Sequence, residues 1–129
     1  MLAEAQLNAL RETAQRHGWR LLVLFGSSAR GDGRDVDLAV LPAQPPDPLE
    51  LGGWQAELEA VCAPRPVDLV LIHDGLSPLL RYEALCRGVC LYEAEPGLFD
   101  SEQDRAFFLH ADSAPLRRAL TDFLQETYA

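Results

Sequence analysis

Leu24-Phe-Gly-Ser-Ser-Ala-Arg-Gly-Asp-Gly-Arg-Asp-Val-Asp-Leu-Ala-Val40 joins two apolar runs through a Gly-Ser turn and sets two carboxylates at the start of the second run. That second run, Val36-Asp37-Leu38-Ala39-Val40-Leu41, reads as a strand. It turns Asp35 and Asp37 to one face, roughly 7 Å apart along the backbone. Like charges held that close call for a cation. Gly26 and Ser27 follow Leu21-Leu22-Val23-Leu24-Phe25, a further apolar run. The backbone therefore turns at a strand end and offers N–H groups and a hydroxyl to a phosphate. One half of the stretch suits a triphosphate and the other a divalent ion.

Outward from this stretch, Leu2, Leu7, Leu10 and Ala14 recur at helical spacing and predict a first helix over about residues 3–17, closed by Gly18. A strand over about 20–25 follows. Four prolines between Pro42 and Pro48 predict an irregular link. Leu51, Trp54, Leu58 and Val61 mark a second helix, ended by Pro64 and Pro66. Val67 to Ile72 reads as a strand buried on both faces that carries one acid, Asp68. Pro78 opens a third helix, Gly88 closes it, and Val89 to Tyr92 is a short strand. Beyond Gly97 the pattern is helical over about 98–128, broken near Asp112 to Pro115, with Leu116, Ala119, Leu120, Phe123 and Leu124 as its apolar stripe. The order implies an α/β (α+β) architecture, a small mixed sheet flanked by helices.

A chain of 129 residues with 48% hydrophobic content suits one domain, residues 1–129. No apolar stretch approaches the roughly 20 residues of a membrane span, and Met1 to Gln6 has neither the basic start nor the apolar core of a signal peptide. A cytoplasmic protein without membrane partners is expected. Cys62, Cys86 and Cys90 form an odd set without a C-x-x-C pair, which points to buried thiols. A net charge of −9 disfavours a long nucleic acid, because nonspecific affinity for polynucleotides comes from Lys and Arg. All eleven basic residues are Arg, which excludes a catalytic lysine and leaves Arg30 and Arg34 nearest the motif.

Gly26-Ser27 followed by Asp35-Val36-Asp37 resembles the signature of the polymerase β nucleotidyltransferase superfamily, particularly its minimal nucleotidyltransferases. The resemblance extends to Val67-Asp68-Leu69-Val70 and, more weakly, to Arg81 through Tyr92. It implies that Asp35 and Asp37 hold two Mg²⁺ ions and that Asp68 completes the site for the ion facing the acceptor hydroxyl. It also implies that Gly26 and Ser27 grip the β and γ phosphates of ATP or another nucleoside triphosphate. Arg30 is suited equally to a phosphate and to pairing with a carboxylate. The implied activity is transfer of AMP to a hydroxyl, and the implied partner is a small helical HEPN toxin whose tyrosine accepts it, which makes the chain an antitoxin; the resemblance leaves open whether it forms a homo- or a hetero-oligomer. One departure stands out: the linker Ser28 to Arg34 has seven residues, fewer than the family usually places there. Extended, it still spans roughly 23 Å.

Two other readings compete. The first is a degenerate relative that neutralises a partner by binding alone. The second is an aminoglycoside-type nucleotidyltransferase, which needs a larger helical domain than about 30 residues after Gly97 can supply. Smaller signals read as structural. His73-Asp74 is a solvated loop pair, His17 and His110 are spaced for no metal, and Asp32-Gly33 is a turn. Trp54, Phe107, Phe108 and Phe123 read as core.

Overall fold

The computed structural model describes residues 2–29 and 34–128. Its first helix, α1 (Glu4–His17), stops at Gly18, whose left-handed φ of 69° lets the following N–H groups turn back onto the last carbonyls. The chain then enters β1 (Leu21–Phe25), a strand buried along its whole length. One helical turn, α2 (Gly26–Ala29), follows directly, and β2 (Val36–Leu41) returns antiparallel to β1.

The next helix, α3 (Pro48–Cys62), starts three residues earlier than its apolar spacing suggests. Asp47 accepts a hydrogen bond from the Glu50 N–H at 2.7 Å, and Pro48 stands in the first turn, where its missing N–H costs nothing. Then come β3 (Val67–Leu71), α4 (Pro78–Cys86) capped by Ser77, β4 (Val89–Glu93), α5 (Leu98–Asp112) and α6 (Ala114–Tyr128). The break near Asp112 to Pro115 falls at Ser113.

The four strands form one mixed sheet in the order β3-β2-β1-β4, parallel only between β2 and β3. Alternation along β1 divides the core. Leu22 and Leu24 pack with Leu10, Ala14, Trp54 and Leu58 of α1 and α3, while Leu21, Val23 and Phe25 pack with Ala84, Leu85 and Ala106 of α4 and α5. Gly88 lets the α4–β4 turn close onto β1, because a Cβ there would meet the Ala84 and Leu24 carbonyls and the Val23 side chain.

Glu57 of α3 ties down the end of α1, meeting His17 at 2.6 Å and Arg16 alongside it. His17 stacks on Trp19, which meets Trp54 edge-on. Burial pushes the Glu57 carboxyl up, but the hydrogen bonds from His17 and Arg16 outweigh it and hold the group below its usual range.

Two expectations need correction. Val67 to Ile72 is not buried on both faces: β3 is the sheet edge, with Asp68 exposed and Leu69 to Leu71 half-buried. Trp54 is core, but Phe107, Phe108 and Phe123 are 55%, 64% and 60% exposed. The reason is that α6 does not fold back over the sheet; its described side chains from 118 to 126 are all exposed. The cysteines are free, Cys62 buried and Cys86 and Cys90 half-buried, and burial raises all three thiols. Among the described residues no helix is long and apolar enough to cross a membrane.

Candidate active site

Gly26 ends β1 with φ of 70°, a backbone conformation that side chains oppose. The space where its Cβ would stand is taken by the Asp37 carboxylate. The turn therefore calls for glycine at this position, and a Cβ there would also push the Asp37 carboxylate aside. The β1–β2 ladder sets Asp37 opposite Phe25, at the edge of the same turn. The parallel β2–β3 ladder sets Asp37 beside Asp68, one strand spacing of roughly 4.8 Å away. Asp37 shares its parity with Ala39, so the pair lies on the sheet face that α4 and α5 cover farther along.

Burial lifts the Asp37 carboxyl above its usual range. Asp68, repelling it and hydrogen-bonded to it, and then the Asp35 charge raise it further. Two further carboxylates thus act on Asp37 at the end of the Gly-Ser turn. Asp35 is not on the strand as its spacing suggests. The ladder begins at Val36, whose N–H donates to the Pro66 carbonyl, and Asp35 stands exposed in the bend before it. Among the described residues no three His, Cys, Asp or Glu side chains stand close enough to form a ready metal site. The donor chemistry nevertheless fits: carboxylate oxygens are what Mg²⁺ takes, and a divalent ion relieves the repulsion that raises Asp37.

Ser27, in α2, is half-buried next to Gly26. Arg30 and the expected turn Asp32-Gly33 lie outside the described residues. Arg34 is exposed beside Asp35. At the other end of β3, His73 and Asp74 are exposed, as their loop position suggests. The His73 ring accepts from the Gly75 N–H, and Asp74 pairs with Arg105 at 3.2 Å. They border a cavity of about 460 Å³ with Pro42, Pro45, Pro46 and Ile72, several residues along the strand from Asp68.

Arg81 was given no role of its own by its pattern. Only 2% exposed, it donates to the His73 carbonyl and stands 3.8 Å from Glu102, joining the loop after β3 to α5. Burial lowers its pKa, followed by the Arg105 charge. An arginine inside an apolar helical stripe is the one sign of it in the sequence.

The model of the family described as "Polymerase beta, Nucleotidyltransferase" matches residues 8–96, from α1 through β4. The chain belongs to that family. Solved structures similar to it include a toxin–antitoxin complex with AMP-PNP, at a TM-score of 0.79 and 21% identity over 92% of this chain and 98% of that one. Another is the complex of a tri-AMPylated Shewanella oneidensis HEPN toxin with its MNT antitoxin, at 0.76 and 20% over 93% and 96%. A MntA-HepT toxin–antitoxin matches at 0.77 and 19% over 95% and 99%. At these identities the likeness establishes the fold, including the helices beyond the family match. No curated protein sequence matches the chain.

Proposed function

We propose that the chain transfers AMP, or another nucleoside monophosphate, from its triphosphate to a hydroxyl with Mg²⁺. The acceptor in this reading is a tyrosine of a HEPN-type toxin, and the chain acts as its antitoxin. The observation that carries the reading is Asp37 in register with Asp68 and pressed against Gly26. Asp35 and Asp37 would hold two ions and Asp68 would complete the site on the acceptor side. Bound there, the metal supplies activation of the acceptor hydroxyl and neutralises charge developing on the phosphates.

The remaining work belongs to the chain's own residues. Gly26 brings backbone close enough for the phosphates to be gripped, with the Ser27 hydroxyl beside it. Asp68, on the exposed edge strand, leaves room for a hydroxyl on a large acceptor. Orientation and charge neutralisation supply most of the acceleration in phosphoryl transfer. Similar solved structures lend support, one with AMP-PNP and one with an AMPylated HEPN toxin.

Neutralisation by binding alone is the second reading. It is favoured by the lack of a ready three-carboxylate group among the described residues and by the short Ser28 to Arg34 linker. Labelled ATP, Mg²⁺ and the HEPN protein of the same organism separate the two. Under the enzymatic reading label passes to the HEPN tyrosine and the Asp35→Asn, Asp37→Asn variant transfers none. If that variant still neutralises the toxin, binding alone suffices.

A further inference from the structure

The chain leaves the carboxyl ends of β2 and β3 toward opposite faces of the sheet. After β2 it passes to α3, whose Trp54 and Leu58 pack with Leu22 and Leu24; after β3 it passes to α4, whose Ala84 and Leu85 pack with Val23 and Phe25. Adjacent parallel strands whose connections part in this way leave a crevice at their carboxyl ends, where open sheets bind ligands. The cavity of about 460 Å³ lies there, lined by Pro42, Pro45 and Pro46 after β2 and by Ile72, His73 and Asp74 after β3. Small-molecule pockets span roughly 300–1,000 Å³. The crevice stands roughly 16 Å along β2 from Asp37, at the other end of the strand. Its β3 side is held in place: the buried Arg81 guanidinium donates to the His73 carbonyl, the Ile72 N–H donates to the Val40 carbonyl at 2.8 Å, and Asp74 pairs with Arg105.

We infer that this crevice binds an uncharged planar heteroaromatic ring of purine size, as a free base or its nucleoside, that presents a hydrogen-bond acceptor beside a donor. Ile72 and the three prolines supply apolar surface for the ring, and the prolines offer no N–H to an extended peptide. The polar groups are consecutive in the chain. His73 Nδ1 accepts from the Gly75 N–H at 3.0 Å, which puts the ring proton on Nε2 as a donor. One Asp74 oxygen, Oδ1, meets Arg105, and the other is left to accept. One donor beside one acceptor complements the ring nitrogen and amino group of an adenine-type base. A carboxylate at the rim and a net charge of −9 turn away a phosphate. The inference does not depend on the transferase reading, because no residue of the carboxylate site takes part.

The test titrates adenine and adenosine, without metal, into the full isotope-labelled chain and follows amide NMR shifts and affinity. His73→Phe and Asp74→Ala each remove one polar group of the rim, and both residues are exposed, so the fold should persist. The Asp35→Asn, Asp37→Asn variant is the control for the carboxylate site, and indole is a ring of similar size without the acceptor. The inference predicts saturable binding of one molecule, with shifts centred on Ile72 to Asp74 and affinity unchanged in the Asp35→Asn, Asp37→Asn variant. Each rim variant, and indole on the wild type, should bind about tenfold more weakly. Absence of saturable binding by both adenine and adenosine would overturn the inference, as would shifts centred on Gly26 and Asp37. Undiminished binding by both rim variants, or indole binding as tightly as adenine, would overturn it as well. Should a rim variant melt below the wild type, the location of the wild-type shifts decides the matter.

Discussion

One methyl group at position 26 meets the Asp37 carboxylate and must also take a left-handed φ. Gly26→Ala is therefore expected to lower the melting temperature by several degrees and to abolish the shift that ATP with Mg²⁺ gives the wild type, both read by thermal denaturation. Asp37 carries the opposite trade. Its folded pKa is raised above 3.8, first by burial and then by Asp68 and Asp35, so the folded state holds its proton more tightly. Stability is lost as pH rises through that folded value. Asp37→Asn should consequently melt no lower than the wild type at pH 7, and higher in the absence of metal. The difference should fade below pH 3.8, where both states are protonated, and Mg²⁺ should raise only the wild-type melting temperature. A variant that is more stable and inactive is what a site built from repelling charges predicts. Alternation of apolar and acidic residues made Asp37 readable in the sequence. Its contact with Gly26 was not, because the contact depends on how β1 and β2 cross at the turn. Asp35 was placed on the strand by its spacing, yet the ladder starts one residue later, a matter of pairing with the Pro66 carbonyl.

At the scale of elements, the clip between α1 and α3 rests on Glu57, whose carboxylate is held below its ordinary pKa by His17 and Arg16 despite burial. A depressed carboxyl contributes stability that is complete above its unfolded pKa of about 4.5 and is lost as pH falls through the lower folded value. Glu57→Gln should lower the melting temperature by a few degrees at pH 7 and flatten the acid limb of a stability–pH curve. A partly exposed pair supports no larger effect. Strands were legible as short apolar runs bounded by Gly and Pro, and helices as longer stretches with apolar residues at helical spacing. The start of α3 was not, since the prolines before it signal a link and the last of them, Pro48, is the residue that opens the helix. Nor was the edge position of β3, because an apolar run does not say which neighbours a strand has. The exposure of Phe107, Phe108 and Phe123 escaped for a similar reason, as a helical stripe marks a surface that wants covering without saying what covers it.

For the whole molecule, topology explains why the site is built where it is. The central strand β1 is flanked by β2 and β4, β2 carries β3 on its far side, and the Gly-Ser turn, Asp37 and Asp68 meet at one end of three adjacent strands. Asp68 stands exposed on the edge strand β3, and among the described side chains of α6 Leu120, Phe123 and Leu124 are exposed. The account stands most directly on transfer of label from ATP. The purified chain with Mg²⁺ and the HEPN protein of its organism is compared with the Asp35→Asn, Asp37→Asn variant. The account predicts AMP on a HEPN tyrosine with the wild type and none with the variant, although both bind the toxin. A wild-type chain that binds and neutralises the toxin without transferring label would contradict it.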